Sequence, residues 1–535
     1  MTPVAPSPRS TTETASPATP LPGVIADWFR HRGWAPHQHQ IEVLEATRAS
    51  QNVLLIAPTG AGKTLAGFLP SLTELVESPD LGTELHRLHT LYISPLKALA
   101  VDIQRNLERP IAEMRVPIRV ETRTGDTPND RRRRQIKRPP HMLMTTPESL
   151  ALMLSTAEGR KLFRHLKMVV LDELHALADN KRGELLALNL AHLRNIAPAA
   201  RVIGLSATVA YPEQLSGYVS KSPATTPISD VAVVRGRAGA QAELSILHAS
   251  NRVPWAGHMA LHSMPDVYEE IKRAGMTILF VNTRAQAELC FQELWRLNDD
   301  NLPIALHHGS LDISQRRKVE AAMAAGKLKA VVATSSLDLG LDWGDVDLVM
   351  QVGAPKGVSR LLQRIGRANH RLDEASQAVL VPANRFEYLE CQAAIDGVAA
   401  MNLDGDKPRE GGLDILAQHI LGRACGDAFL PDDLYQEVIT AAPYAHLSRK
   451  DFEATLQFVT NGGYSLRAYE RYHRLTVDHD GRFKVANRKI AASYRMNVGT
   501  IVEATTYKVR INRGRVLGSI EEYFVQGLTA GDTFI

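Results

Sequence analysis

Two neighbouring acids, Asp172 and Glu173, end an apolar run in VVLDELHALADNKRG (169–183), and His175 follows two residues later. Such a trio could serve as a glycosidase acid–base pair, as a metal site, or as the acidic half of a nucleoside triphosphatase site. A glycosidase sets its carboxylates about 5–9 Å apart across a sugar cleft, and nothing else in the chain supports that reading. A metal site built on His175 lacks further ligands at suitable spacing.

A second stretch favours the triphosphatase. APTGAGKT (57–64) matches a phosphate-binding loop, with Ala57 in place of its first glycine. Thr59, Gly60, Ala61 and Gly62 form the loop. The glycines let its backbone wrap closely, so that amides and a helix N-terminus aim donors at the anion. Lys63 would reach the β- and γ-phosphates, and Thr64 would ligate magnesium. Asp172, at a strand end, would then hold Mg²⁺ through its water shell, and Glu173 would orient and deprotonate the attacking water. Further along, LLQRIGRANHR (361–371) places Gln363, Arg364, Arg367 and Arg371 in one stretch. One or two of these arginines could reach a γ-phosphate from a second domain.

These residues need a frame that holds strand ends together. The runs NVLLIAPTG, TLYISPLK, HMLMTTPE, MVVLDELH and VIGLSATV each end in small or polar residues and precede a helical stretch. That rhythm predicts an α/β domain with a parallel sheet, whose ligands gather at the strands' carboxyl ends. It pauses at about 212–260 and restarts with MTILFVNTR, IALHHGS, AVVATSSLDLG, DLVMQVGAP and AVLVPAN. The expected organisation is a disordered Pro/Ser/Thr-rich tail (1–22), a first nucleotide-binding domain (23–215) and a second (216–400). A winged-helix-like module (401–485) follows, with one helix N-capped by Ser448 and stopped at Asn461-Gly462-Gly463. Residues 486–535 read as the start of a β-domain that breaks off before a sheet is complete.

Composition agrees with a globular protein. Of 535 residues, 44% are hydrophobic and 22% charged, and the net charge of +4 is compatible with a polyanionic partner. The cysteines, Cys290, Cys391 and Cys425, are far apart, which argues against a thiolate metal site or a disulfide framework. No run is long and apolar enough to span a membrane, and a cytoplasmic, nucleoid-associated protein is expected.

The ordered motifs resemble those of superfamily 2 helicases: Gln40, APTGAGKT, SPLKALAVDIQRNL, RTGDT, TTPESL, DELH, SAT, then LFVNTRAQAE, HHGSL, ATSSLDLGLDWGDVD and QRIGRANHR. DELHALADNKRG, GRANHR and LDILAQHILG are most similar to the large helicase-related family and, within it, to ligase-associated DEXH-box helicases. The resemblance covers about residues 25–535 and implies two tandem RecA-like domains. It implies that Gln40 reads adenine, that Gly340 and Asp342 sense nucleotide from the second domain, and that His175, Ser206 and Thr208 couple hydrolysis to domain motion. It places Lys97, Arg123, Thr145, Thr146, Thr283, Arg284 and Ser335 along a sugar–phosphate backbone, where contacts position a strand without reading its sequence. In the common QRxGRxGR form the last arginine falls where this chain has His370, with Arg371 after it, so Arg367 is the firmer finger.

The implied activity is ATP-dependent 3′→5′ translocation on single-stranded DNA, with unwinding of DNA or RNA–DNA duplexes in DNA repair and a DNA ligase or other repair proteins as partners. Two alternatives stay open: an ATPase that remodels or anneals without unwinding, and an inactive nucleic-acid-binding clamp. Two basic stretches are further candidates: RRRRQIK (131–137), as a solvated face or a nucleic-acid contact, and RAYERYHR (467–474), as packing or base stacking.

Overall fold

The computed structural model describes residues 21–58, 60–81, 83, 87–222, 228–237, 239–338, 346–368, 375–405, 409–463, 466–499, 506–511 and 516–521. The expected tail lies outside these residues except for its end, where Leu21 is buried beside Ile25 and Phe29.

The first sheet holds seven strands: β1 (Asn52–Ile56), β2 (Thr90–Ile93), β3 (Val120–Thr122), β4 (Met142–Thr145), β5 (Met168–Leu171), β6 (Arg201–Ser206) and β7 (Val231–Arg235). Their order is β3-β4-β2-β5-β6-β1-β7, and every neighbouring pair is parallel. The central strands are buried throughout and mostly apolar because helices cover both faces, leaving no wet side to demand alternation. β7 falls where the strand rhythm was expected to pause. It pairs with β1 from beyond residue 215, and its mixed burial on the sheet edge explains why its pattern is weak.

The second sheet holds β8 (Glu243–Ile246), β9 (Thr277–Val281), β10 (Ile304–His307), β11 (Ala330–Ala333), β12 (Leu348–Val352) and β13 (Gln377–Val381), in the order β10-β11-β9-β12-β13-β8 and again parallel throughout. A parallel ladder sets all carboxyl ends on one edge, so Thr283 and Ser335, just past β9 and β11, share that edge.

Helices 413–426, 431–438 and 449–461 and the hairpin β14 (Leu475–Val477) with β15 (Phe483–Val485) form the winged-helix module. Ser448 caps the last of these helices, accepting from the Asp451 amide at 3.1 Å, and Gly462 ends it in the left-handed region. A further hairpin, β16 (Thr506–Arg510) with β17 (Val516–Glu521), touches the second domain where Gly518 bridges Leu311.

The winged helix shares a core with the first domain. Leu185, Leu186 and Leu190 of helix Lys181–Ile196 belong to one buried cluster with Ile415, Leu416 and Phe452. Inside this joint the Glu437 carboxylate accepts from Arg423 Nε at 3.0 Å and from Asn195 Nδ2 at 2.8 Å, and His192 Nδ1 lies 3.3 Å away. Burial opposes ionisation of Glu437, but the hydrogen bonds of His192 and His419 and the Arg423 guanidinium hold its carboxyl well below the usual range. Burial pushes His192 down to about 4.

Both groups bind fewer protons folded than unfolded, so their stabilisation is present above their unfolded values and lost on acidification. For His192 the loss runs from about pH 6.5 down to about 4. The thermal midpoint should therefore fall across that window. Glu437→Gln, which leaves the half-buried Arg423 without its counter-charge, should lose about 3 kcal/mol at neutral pH. Thermal melts of both chains between pH 4 and 8 check this.

Candidate functional site

β1 delivers the phosphate loop. Gly60 and Gly62 have φ of 80° and 73°, a region that L side chains rarely enter, and Gly62 leads directly into helix Lys63–Glu77. A Cβ on Gly62 would stand 2.9 Å from Gln40 Nε2. Gln40 is buried. Its amide donates to the Gly62 carbonyl at 3.3 Å, and its Oε1 accepts from the His37 amide at 2.9 Å. The residue expected at the adenine thus also braces the loop. Ala61 is buried, and Thr64 is half-buried in the first helical turn. Thr59 lies outside the described residues.

Lys63 Nζ donates to the carbonyls of Ala57 and Pro58, each at 2.9 Å. Burial lowers its pKa, the charges of Glu173 and Asp172 oppose this, and the Arg367 guanidinium lowers it further. Asp172 stands at the end of β5 and is buried, with the Tyr92 hydroxyl donating to its carboxylate. Burial and the neighbouring Glu173 charge push Asp172 up to about 7, against the pull of Tyr92 and Lys63. Glu173 has φ +46°, left-handed backbone that is strained for a side chain of this size. Burial raises its pKa, but His175, Lys63 and Arg367 together outweigh burial and keep it low.

His175 joins Glu173 to β6. Its Nδ1 lies 3.2 Å from the Ala207 amide and 3.3 Å from the Ser206 hydroxyl. An amide can only donate, so Nδ1 is assigned as the acceptor. Nε2 then carries the proton and faces Glu173 Oε2 at 3.6 Å. Ser206 and His175 thus meet, while Thr208 is half-buried just beyond them.

From the second domain Arg367 reaches this cluster. It is buried, its Nη2 donates to the Asp338 carbonyl at 2.9 Å, and its charge is felt at both Lys63 and Glu173. Arg364 differs from its neighbour. Its guanidinium donates to Asp338 Oδ1 at 2.9 Å and to the Gln351 side chain, and lies 4.8 Å from the centre of the Phe280 ring. It anchors its helix inside the second domain. Gln363 is half-buried on the same helix, while Gly340, Asp342, His370 and Arg371 lie outside the described residues.

The proposed nucleic-acid residues divide by exposure. Lys97, Thr283, Arg284 and Ser335 are exposed, and Lys97 Nζ pairs with Asp126 at 2.9 Å. Thr283 caps its helix by accepting from the Gln286 amide at 3.1 Å. Thr145 is fully buried, its hydroxyl donating to the Arg123 carbonyl at 2.8 Å, and Thr146 is buried with its hydroxyl on Ser149 at 3.2 Å. Arg123 is half-buried beside Arg132. Most of the basic run 131–137 is held to the domain: Arg131 and Arg134 pair with Glu121, and Arg132 donates to the carbonyls of Thr124 and Gly125.

Sequence reasoning passed over Tyr92 and Asp338, which fix Asp172 and the two arginines. Tyr92 lay hidden among the apolar residues of its strand. It also passed over His307 and His308, which meet Glu320 at 3.2 Å and Glu288 at 2.7 Å, although HHGSL marked the segment.

The fused carboxylate pair, the lysine and the glycine loop fit a magnesium–nucleotide complex. Thr64 and Asp172 are the residues that would hold the cation, since a buried acid already pushed towards neutrality by a second carboxylate is a site that a divalent charge relieves.

Three family profiles match in sequence order: DEAD/DEAH box helicase over residues 37–215, helicase conserved C-terminal domain over 260–371, and the winged helix domain of large helicase-related protein over 396–535. ATP-dependent helicase Lhr-Core protein 2 of Thermococcus barophilus is 35% identical over 533 residues, which cover 96% of this chain and 61% of the relative. ATP-dependent helicase Lhr-Core of Methanothermobacter thermautotrophicus is 34% identical, with 96% and 61% covered. Among solved structures, the Mycobacterium smegmatis helicase Lhr bound to ssDNA and AMP-PNP superposes with a TM-score of 0.78 at 35% identity, over 90% of this chain and 62% of that one. The chain spans about three fifths of the length of these relatives. Two parallel-sheet domains that meet at Lys63, Glu173 and Arg367, a winged helix fused to the first, and these matches in sequence order show a DEAD/DEAH-box helicase core followed by a winged helix domain of the large helicase-related type.

Proposed function

We propose that this chain is an ATP-dependent nucleic-acid translocase and helicase. The observation that carries the proposal is the convergence of two domains on one site: the Arg367 charge acts on both Lys63 and Glu173. ATP would bind with its phosphates on the loop amides and Lys63. Thr64 and Asp172 would hold magnesium, which would supply charge neutralisation at the phosphates. Glu173 takes the proton of the attacking water. Arg367 stabilises the charge that develops on the transferred phosphoryl group. His175, between Glu173 and the Ser206–Ala207 backbone, passes the state of the site to β6.

The proposal extends to the strand. The relative solved with ssDNA supports single-stranded DNA as the ligand, gripped by the exposed residues at the carboxyl edges of the two sheets. Movement 3′→5′, unwinding of DNA or RNA–DNA duplexes, action in DNA repair and association with a DNA ligase belong to the same reading and rest on the family resemblance. Strand displacement tests it. A duplex with a 3′ single-stranded tail should be unwound with ATP and Mg²⁺, and its 5′-tailed counterpart should not. Equal unwinding of both would overturn the polarity. Hydrolysis without displacement of either would overturn the helicase reading.

A further inference from the structure

Ten residues of the second domain, 249–258, run from β8 across the sheet's carboxyl edge, and nearly all are exposed. Trp255 stands 61% exposed on this loop. Exposed tryptophan on a limp loop would be unremarkable, but this loop is fixed. Gln286 Nε2 donates to the His258 carbonyl at 2.7 Å, Asn384 Nδ2 to the Gly257 carbonyl at 2.8 Å, and the Arg385 amide to the Pro254 carbonyl at 3.1 Å. The Arg385 guanidinium lies 4.4 Å from the centre of the Trp255 ring. Phe386, 63% exposed, has its ring centroid 6.4 Å from that of Trp255.

We infer that Trp255, with Arg385 and Phe386, is a stacking platform for an unpaired base of the bound strand. Three features select nucleic acid as the occupant. An indole beside a guanidinium extends a stack of π faces, and both groups stack on any base. Arg252 adds exposed positive charge, while the acids that touch the loop are engaged: Glu387, 3.3 Å from His258, accepts from the amides of Ala354 and Ala383 at 3.1 and 2.9 Å, and Asp266 accepts from the Ser250 amide at 2.9 Å. The platform also continues the candidate strand track. Gln286, which holds the loop, gives its own amide to Thr283, so the platform lies beside the exposed Thr283 and Arg284 on the same sheet edge. The fixed loop lowers the entropy lost on binding. This inference rests on the nucleic-acid reading above and adds a contact that none of the motifs contains.

Its test is the affinity for an end-labelled oligothymidylate at constant salt, since salt alone shifts such affinities. Trp255→Ala should weaken binding about tenfold, while Trp255→Phe, which keeps a stacking face, should stay within about threefold of wild type. ATP turnover at saturating oligonucleotide should be unchanged in both, because the ring lies outside the nucleotide site. Tryptophan emission should be quenched by the oligonucleotide in wild type and less so in Trp255→Ala. Wild-type affinity in Trp255→Ala overturns the platform, leaves the motor intact and makes this face a protein-docking surface. Failure of the wild-type chain to bind the oligonucleotide overturns the nucleic-acid reading and the platform together.

Discussion

Arg367→Ala is expected to lower ATP turnover by about a thousandfold at saturating ATP and single-stranded DNA, with nucleotide affinity changed only a few-fold. The size follows from position. Arg367 comes from the second domain, is buried, and is aimed by the Asp338 carbonyl so that its charge acts at Lys63 and Glu173. Charge placed where it grows in the transition state speeds the chemical step, whereas charge felt equally by bound substrate does not. The loss should therefore fall on kcat rather than KM. Arg367→Lys should remain impaired, because an ammonium cannot reproduce a fixed guanidinium fork. Arg364→Ala should behave differently: loss of the Asp338 and Gln351 partners should lower the melting temperature of the second domain along with activity.

Glu173→Gln should lower turnover by about 10²–10⁴-fold, the range for removing a positioned base. The amide keeps the shape but cannot take a proton. ATP should still bind, since Lys63 and the loop remain, and the variant should accumulate with nucleotide and DNA bound. Asp172 should respond too. With the neighbouring charge gone, one of the two influences that push its carboxyl up to about 7 disappears, and its pKa should fall. Glu173 already has φ +46°, so its placement depends on the fold around it: the Leu174 amide donates to the Leu205 carbonyl at 2.9 Å and holds the next residue against β6.

Much of this site was legible because its parts lie in short, ordered segments. Glycine spacing announced the phosphate loop, an acid pair after an apolar run announced the end of β5, and clustered arginines announced the second domain's contribution. Legibility failed where roles depend on which way a side chain faces. Arg364 and Arg367 share one residue type and stand three residues apart, yet Arg364, inside helix Val358–Ile365, turns inward to Asp338 and Phe280, while Arg367, in the turn after it, reaches the first domain. Thr145 and Thr283 both stand at the carboxyl ends of apolar runs, yet Thr145, the last residue of β4, is fully buried and Thr283, just past β9, is exposed. Supporting residues were invisible for the opposite reason. Tyr92 reads as one more core position of its strand until its hydroxyl is found on Asp172. β7 and β8 escaped notice because edge strands, half wetted, lack the unbroken apolar run that marks central ones.

The most direct test of an ATP site assembled between two domains and driven by a bound strand is steady-state ATP turnover with and without single-stranded DNA, in wild type and Glu173→Gln. Strong stimulation of wild type by DNA, with the variant at background in both conditions, is the predicted result. Turnover that ignores DNA, or that survives in Glu173→Gln, would contradict it.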